Sequence, residues 1–140
     1  MSSAEDIVYV SWGGSGRNDT LEDAARRAKD AGVSFIFLGV VDNQRFGDLP
    51  KPTMKTLLRE LEFILRSQTF AVMRQINGTG VETQVVVRQG EVAEAIKSVA
   101  ETAGVSSVLV GGPLPIRDQQ TAAQVIDQLQ VDTGLKITLI

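Results

Sequence analysis

The chain has 140 residues, of which 14 are basic and 17 acidic, so its formal net charge at neutral pH is -3. This length favours one domain with a single core, spanning residues 1–140. An acidic chain without a basic cluster argues against a nucleic-acid partner, because binding to phosphates requires clustered Lys and Arg. The longest apolar stretch, residues 33–41, is far shorter than the roughly 20 residues of a membrane-spanning helix, which argues against membrane insertion.

The chain contains neither Cys nor His. Their absence removes disulfides, thiol nucleophiles, the usual general base near neutral pH and the commonest transition-metal ligand. The composition therefore favours a binding or regulatory protein over an enzyme, with no catalytic residue and no metal site. No charged and apolar leader precedes the first predicted strand, which predicts a cytoplasmic protein.

Apolar runs and small-residue stretches alternate in the first half of the chain. Residues 7–11 form a short β-branched run that predicts a buried strand, and the glycine-rich residues 13–16 follow it as a loop. A helix comes next, with Asp19 and Glu22 as its predicted capping box. Residues 34–41 are continuously apolar, as expected for a second strand that is covered on both faces.

A loop with two prolines leads to a long amphipathic helix, which Thr53 is predicted to cap and which ends near residue 76. Residues 81–88 then predict the third strand. Gly90 precedes a further helix, whose C-terminal stop is Gly104.

The last part of the chain completes the alternation. Residues 105–110 predict a fourth strand, Asp118 is the predicted cap of the last helix, and residues 136–140 predict a fifth strand. Strands that are separated by helices run parallel with right-handed crossovers. The sequence therefore predicts an α/β fold, a three-layer sandwich with helices on both faces of a parallel sheet.

Two glycine-rich loops follow the first and fourth strands. If the first strand is central and the order is 3-2-1-4-5, both loops border the crevice where parallel sheets bind ligands. Each loop also carries one arginine, so we expect two guanidinium groups to flank one small anionic ligand; alternatively, the glycines only form turns and the arginines are solvated. The loop residues in this hypothesis are Gly13, Gly14, Arg17, Gly111, Gly112 and Arg117.

Two other residues are candidates for the same crevice. Asp42 follows the second strand and either meets a ribose or base or caps its loop. Trp12 either covers an apolar pocket beside the first loop or packs under the sheet edge.

Three nucleotide motifs are not matched. The P-loop is absent because no Gly-Lys pair occurs in the chain. The dinucleotide fingerprint G-x-G-x-x-G begins at Gly14 and Gly16 but has Asp19 at its third glycine. Residues 11–16 are superficially similar to the S-G-G-x-D-S loop of ATP pyrophosphatases and lack its Asp-Ser step.

Several segments carry the landmarks of one known family. The matching segments are residues 7–10 with the glycine loop, 20–31, 39–42, 90–96, 108–112 and 137–140. Through them the chain resembles the universal stress protein family over almost its whole length. This resemblance implies a sheet of order 3-2-1-4-5, homodimers that are often paired through the last strand, and a role in stress survival or regulation. It also implies that ATP is bound in some members and not in others.

The phosphate loop of the ATP-binding members is only partly matched. Those members have, after strand 4, a Gly, two residues, a second Gly, nine residues, and then Gly-Ser or Gly-Thr. This chain keeps the first glycine as Gly111 but has Leu114 at the second, and the final step falls near Gln119, Gln120 or Thr121. The resemblance therefore implies a degenerate ATP motif and no tight ATP binding, and it leaves ATP, AMP or another anion open as a weaker ligand.

The same comparison of motifs singles out three more positions. Ser11 or Trp12 stands where ATP-binding members have an Asp at the end of strand 1. Val41 matches the position whose backbone meets adenine.

Two functions from different classes follow. The first is a non-catalytic, dimeric stress-response or regulatory protein. Its last strand would expose an apolar edge in a monomer, and a second copy would cover that edge through Ile137, Thr138, Leu139 and Ile140. The alternative is a nucleotide- or anion-binding sensor, or a weak ATPase, that uses the crevice.

Overall fold

The computed structural model describes residues 4–12, 18–41, 49–111, 114 and 120–140. In this part of the chain, five parallel strands form one sheet in the order β3-β2-β1-β4-β5. Their bounds are β1 Ile7–Trp12, β2 Phe35–Val41, β3 Thr83–Gln89, β4 Ser107–Gly111 and β5 Lys136–Leu139. The predicted α/β class and the strand order implied by the resemblance are both confirmed.

In the described ranges, four helices cover the two faces of this sheet. They are α1 Asn18–Ala31, α2 Lys51–Gln75, α3 Val92–Ala103 and α4 Ala122–Thr133. One buried cluster joins α1 and α2 to one face of the sheet, and a second joins α3 and α4 to the other, which confirms the three layers. None of the described helices combines the length and the apolar character needed to cross a membrane.

The second strand is enclosed by both helical layers. All seven residues of β2 are buried, which explains why its sequence is apolar throughout rather than alternating. Gly39 allows α2 to approach this strand, because a Cβ at Gly39 would lie 2.5 Å from Cδ1 of Leu65.

Two carboxylates precede β1 and bond to the segments that precede its neighbouring strands. Glu5 accepts hydrogen bonds from the backbone N–H of Ser106 at 3.0 Å and from its hydroxyl at 2.8 Å. Asp6 accepts one from the backbone N–H of Ser34 at 3.1 Å. The hydrogen bonds from Ser106 lower the pKa of Glu5 from its usual value of 4.5, because they stabilise the ionised carboxylate.

The starts of the helices differ from the prediction at three places. Helix α1 already begins at Asn18, so Asp19 lies in its first turn, and Glu22 pairs with Arg26 at 2.7 Å instead of completing a capping box. Helix α2 begins at Lys51 directly after Pro50, so Thr53 is not its cap. Its first turn contains Pro52, which is tolerated there because the first N–H groups of a helix have no partner within it.

The third difference concerns α4. Its cap is Thr121, whose hydroxyl accepts the Gln124 N–H at 3.2 Å while the Gln124 side chain accepts the Thr121 N–H at 2.8 Å. Asp118, the predicted cap, lies outside the described residues. The C-terminal end of α3 agrees with the prediction from the sequence. Gly104 terminates this helix with a φ of 70°, in the left-handed region.

Candidate functional site

The carboxyl ends of β1 and β4 lie side by side. Both strands run parallel, and Ser11 near the end of β1 is in register with Gly111 at the end of β4. The chain leaves β1 for β2 on one side and returns on the other side as β4, so the direction of the strand order changes between them. A ligand crevice in an open parallel sheet lies at such a point.

Five predicted crevice residues lie within the described part of the chain: Ser11, Trp12, Val41, Gly111 and Thr121. The others lie outside the described residues, and they are Gly13, Gly14, Arg17, Asp42, Gly112 and Arg117. The pairing of two guanidinium groups around an anion therefore stays a prediction.

Gly111 lies against a buried tyrosine. A Cβ at Gly111 would overlap the hydroxyl of Tyr9 and lie 2.6 Å from its Cζ. Tyr9 and Thr20 are both buried, and their hydroxyl oxygens lie 2.7 Å apart. Glycine at this position thus has a packing reason of its own, because the hydrogen-bonded tyrosine side chain fills the space that a side chain at 111 would need.

Tyr9 and Thr20 are the residues near the crevice that the sequence analysis missed. Tyr9 lies between two valines of β1, and its ring meets that of Phe37 edge-on with 5.1 Å between centroids. A tyrosine within a buried strand needs a hydrogen-bond partner for its hydroxyl. This requirement is the one signal in the sequence that could have predicted the contact. The short polar residues at the start of α1 are the candidate partners for the hydroxyl.

On the other face of the sheet, two apolar side chains lie beside the ends of β1 and β4. Trp12 and Leu114 are each partly buried, and both pack against the core cluster beneath α3 and α4. Trp12 lies on the central strand rather than at a sheet edge, and its role in covering a pocket stays a prediction. Leu114, at the position of the second glycine in the ATP motif, also contributes its side chain to this core.

Val41 and Thr121 already have local hydrogen bonds. The Val41 side chain is fully buried, and its carbonyl accepts the N–H of Gly90 at 3.0 Å. The residue as a whole has no exposed surface, so in this conformation its carbonyl oxygen is not accessible to a base. Thr121 is exposed and uses its hydroxyl oxygen as the helix cap, which leaves its O–H as a donor.

A separate groove of about 350 Å³ lies between β3 and α3. Its polar lining bonds largely to itself. Ser34 donates from its N–H to Asp6 and from its hydroxyl to Glu82 at 3.4 Å, and Thr102 donates to the Ser98 carbonyl at 3.0 Å. The lining also includes the side chains of Gln84, Arg88 and Ser98. Within the described ranges, no three acidic side chains lie close enough together to hold a metal ion.

Comparison with known proteins begins with families. The model of the universal stress protein family matches residues 5–113 of the chain. A search of curated protein sequences finds no match.

Solved structures share the fold at low sequence identity. A universal stress protein from Burkholderia pseudomallei is 18% identical with a TM-score of 0.64, over 95% of this chain and 94% of that one. A universal stress protein in complex with cAMP is 15% identical with a TM-score of 0.55, over 99% and 98%. One from Archaeoglobus fulgidus in complex with dAMP is 15% identical with a TM-score of 0.53, over 99% of both chains.

Proposed function

The chain belongs to the universal stress protein family, and on this basis we propose that it is a non-catalytic, dimeric stress-response or regulatory protein with a degenerate nucleotide site. The observation that carries the proposal is Leu114, which packs against the core where ATP-binding members have the second glycine of their phosphate loop. The proposal treats residues 1–140 as one domain and places the protein in the cytoplasm, which fractionation of cells expressing a tagged chain would test.

A triphosphate needs a loop whose successive backbone N–H groups point at the anion, and glycines allow the backbone to form such a nest. A leucine at residue 114 opposes this geometry in two ways. Its backbone is more restricted than that of glycine, and turning it toward a phosphate would withdraw an apolar side chain from the core. The contact with Tyr9 already explains why residue 111 is a glycine. The presence of this glycine is therefore weak support for a phosphate site.

Native mass spectrometry of the purified protein tests the proposal. We expect the mass of the chain or of its dimer with no bound triphosphate. A stoichiometric ATP adduct that survives purification would contradict the degenerate site.

A nucleotide sensor for AMP-type ligands is the second candidate, and two relatives favour it because their structures were solved with cAMP and with dAMP. A monophosphate requires fewer phosphate contacts than ATP, so it depends less on the missing glycine. In this alternative, Arg17 and Arg117 flank the phosphate, and a base contacts the backbone of Val41 only after its buried carbonyl has become exposed. The same crevice would serve a weak ATPase.

Thermal-shift measurements separate the two candidates. The sensor requires AMP or cAMP to raise the melting temperature, and Arg17→Ala or Arg117→Ala to remove that rise. The matched control is Arg27→Ala, on the exposed face of α1, in which AMP or cAMP should still raise the melting temperature. No response to AMP, cAMP or inorganic phosphate at millimolar concentration would leave only the first candidate.

The dimer is proposed to form through the outer edge of β5. The N–H groups of Lys136 and Ile140 bond inward to the residues around β4, so the main chain of Ile137 and Leu139 faces outward. The Ile137 side chain is buried, and its N–H is covered by the side-chain oxygen of Gln130 at 3.1 Å. Leu139 is 40% exposed, and its outward main chain and apolar side chain together support pairing at this edge.

A further inference from the structure

The outward face of α2 carries large apolar side chains that the fold does not use. Phe63 is 72% exposed, Phe70 52% and Ile64 51%. The helix already contributes a separate buried face to the core, so these three residues are not needed to fix it against the sheet. We call this outward surface the α2 seam, and it consists of Glu60, Phe63, Ile64, Ser67, Phe70 and Arg74.

The spacing of the seam is that of a helix–helix contact. Positions 60, 63, 67, 70 and 74 alternate steps of three and four residues, which places their side chains in one line along a helix. The buried residues Leu65, Thr69 and Val72 lie on the opposite side of α2. A second helix can therefore lie along the seam without disturbing the core.

We propose that the α2 seam binds the same seam of a second copy of this chain, antiparallel, about a two-fold axis at Ser67. A two-fold axis brings each residue before Ser67 next to the residue equally far after it. Phe63 then lies opposite the partner's Ala71, and Ile64 opposite the partner's Phe70. Ser67 meets its own copy, where its small side chain lets the two helices approach closely.

The charges at the two ends of the seam determine this orientation. Glu60 lies opposite the partner's Arg74, so the antiparallel pair has an ion pair at each end. A parallel pair would place Glu60 beside the partner's Glu60, which is unfavourable. Both side chains are exposed and neither makes an ion pair in the described part of the chain, whereas Glu62 and Arg66 on the same helix pair at 2.7 Å.

The size of the seam predicts weak, reversible association. Its three large apolar side chains expose roughly 300 Å² per copy, which is at the level of surface patches that mark interaction sites. Two such patches with their polar ends approach about 1,000 Å², the lower limit for a specific interface. Helix α2 packs on β2 and β3, at the other end of the sheet from β5, so this contact is separate from the proposed β5 pairing.

A cysteine on the two-fold axis tests the contact directly, since the chain has no cysteine of its own. Helices in contact lie 8–10 Å apart, which brings two Cα atoms that face each other to about 5 Å, a distance that a disulfide spans. We expect Ser67→Cys to form a covalent dimer under mild oxidation. Ser98→Cys, exposed on α3 at the opposite face of the sheet, is the matched control and should stay monomeric on a non-reducing gel.

Second-site variants test the orientation. In the Ser67→Cys background, Phe70→Ser should slow cross-linking several-fold, and so should Glu60→Arg or Arg74→Glu. The double variant with Glu60→Arg and Arg74→Glu should restore it, because the ion pairs reform with reversed sign. Cross-linking of Ser67→Cys no faster than that of Ser98→Cys, or no recovery in the double variant, would overturn the proposal. The former result would assign the exposed phenylalanines to another partner.

Discussion

At the scale of single residues, Tyr9 connects three parts of the fold. Its hydroxyl bonds to Thr20 in the first turn of α1, its ring meets Phe37 in β2, and it fills the space beside Gly111 at the end of β4. Gly111 is a candidate ligand residue, and its packing against Tyr9 gives it a structural role whether or not a ligand binds.

This contact predicts coupled effects on stability. Gly111→Ala should destabilise the protein by about 1–3 kcal/mol, because the added Cβ overlaps the Tyr9 side chain. Tyr9→Phe alone should cost about 1 kcal/mol through the lost hydrogen bond. In the Tyr9→Phe background, Gly111→Ala should cost less, since the overlapping oxygen is gone. Urea unfolding of the four proteins measures this, and strictly additive costs would contradict the contact.

Glu5 predicts a pH dependence of stability. Its pKa is lowered by the hydrogen bonds from Ser106, so the folded state favours the ionised carboxylate. The resulting stabilisation is present above the usual pKa of 4.5 and is lost as the pH falls through the lower folded-state value. The melting temperature of the wild type should therefore exceed that of Glu5→Gln at neutral pH and approach it near about pH 3. A difference that does not change with pH would contradict this role.

At the scale of elements, the first turns of the helices show which local signals determine where a helix begins. Thr121 forms a complete capping box with Gln124, whereas α2, which begins directly after Pro50, has no side-chain cap. Because Thr121 is also a candidate ligand residue, its two roles need to be separated.

Thr121→Ala should destabilise the protein by about 1 kcal/mol, because it removes the cap of α4. Gln124→Ala should cost a similar or smaller amount through the same box. If capping is the only role of Thr121, any melting shift produced by AMP should be equal in the wild type and in Thr121→Ala. Loss of that shift in Thr121→Ala but not in Gln124→Ala, which removes only the bond from the Thr121 N–H to the Gln124 side chain, would instead assign Thr121 to the ligand.

The sequence predicted the elements and their order because apolar runs and helix-ending glycines are local signals. The starts of the helices were less predictable, since Asp19, Thr53 and Asp118 compete with several polar neighbours for the same role. Which one caps depends on how the incoming loop approaches. The predicted neighbours Ser11 and Gly111 do meet at the strand ends, whereas the contact of Tyr9 with Thr20 depends on tertiary packing that no spacing in the sequence reveals.

At the scale of the whole molecule, the two edges of the sheet are partly covered by polar side chains. On β3, Arg88 donates to the outward carbonyl of Val87 at 3.4 Å, and on β5 Gln130 accepts the outward N–H of Ile137. Such contacts weaken an edge as a template for pairing. The exposed side chains of β3 are all polar, and they are Gln84, Arg88 and Gln89. Strand β5, in contrast, has the exposed apolar side chain of Leu139.

Pairing through β5 predicts a specific effect of proline. Leu139→Pro removes an outward N–H and leaves the bonds of β5 to β4 intact, so it should lower the dimer fraction in sedimentation velocity. Leu139→Ala keeps the main-chain donor and should retain more of the dimer. Because the α2 seam also associates, both variants are best compared in the Phe70→Ser background. A dimer fraction unchanged by Leu139→Pro there would exclude the β5 edge.

We propose that this member of the universal stress protein family lacks the phosphate loop needed for ATP. Isothermal titration of the wild-type protein with ATP and Mg²⁺ measures whether ATP binds. No saturable heat is expected at millimolar ATP. A one-to-one isotherm with a dissociation constant in the micromolar range would contradict it.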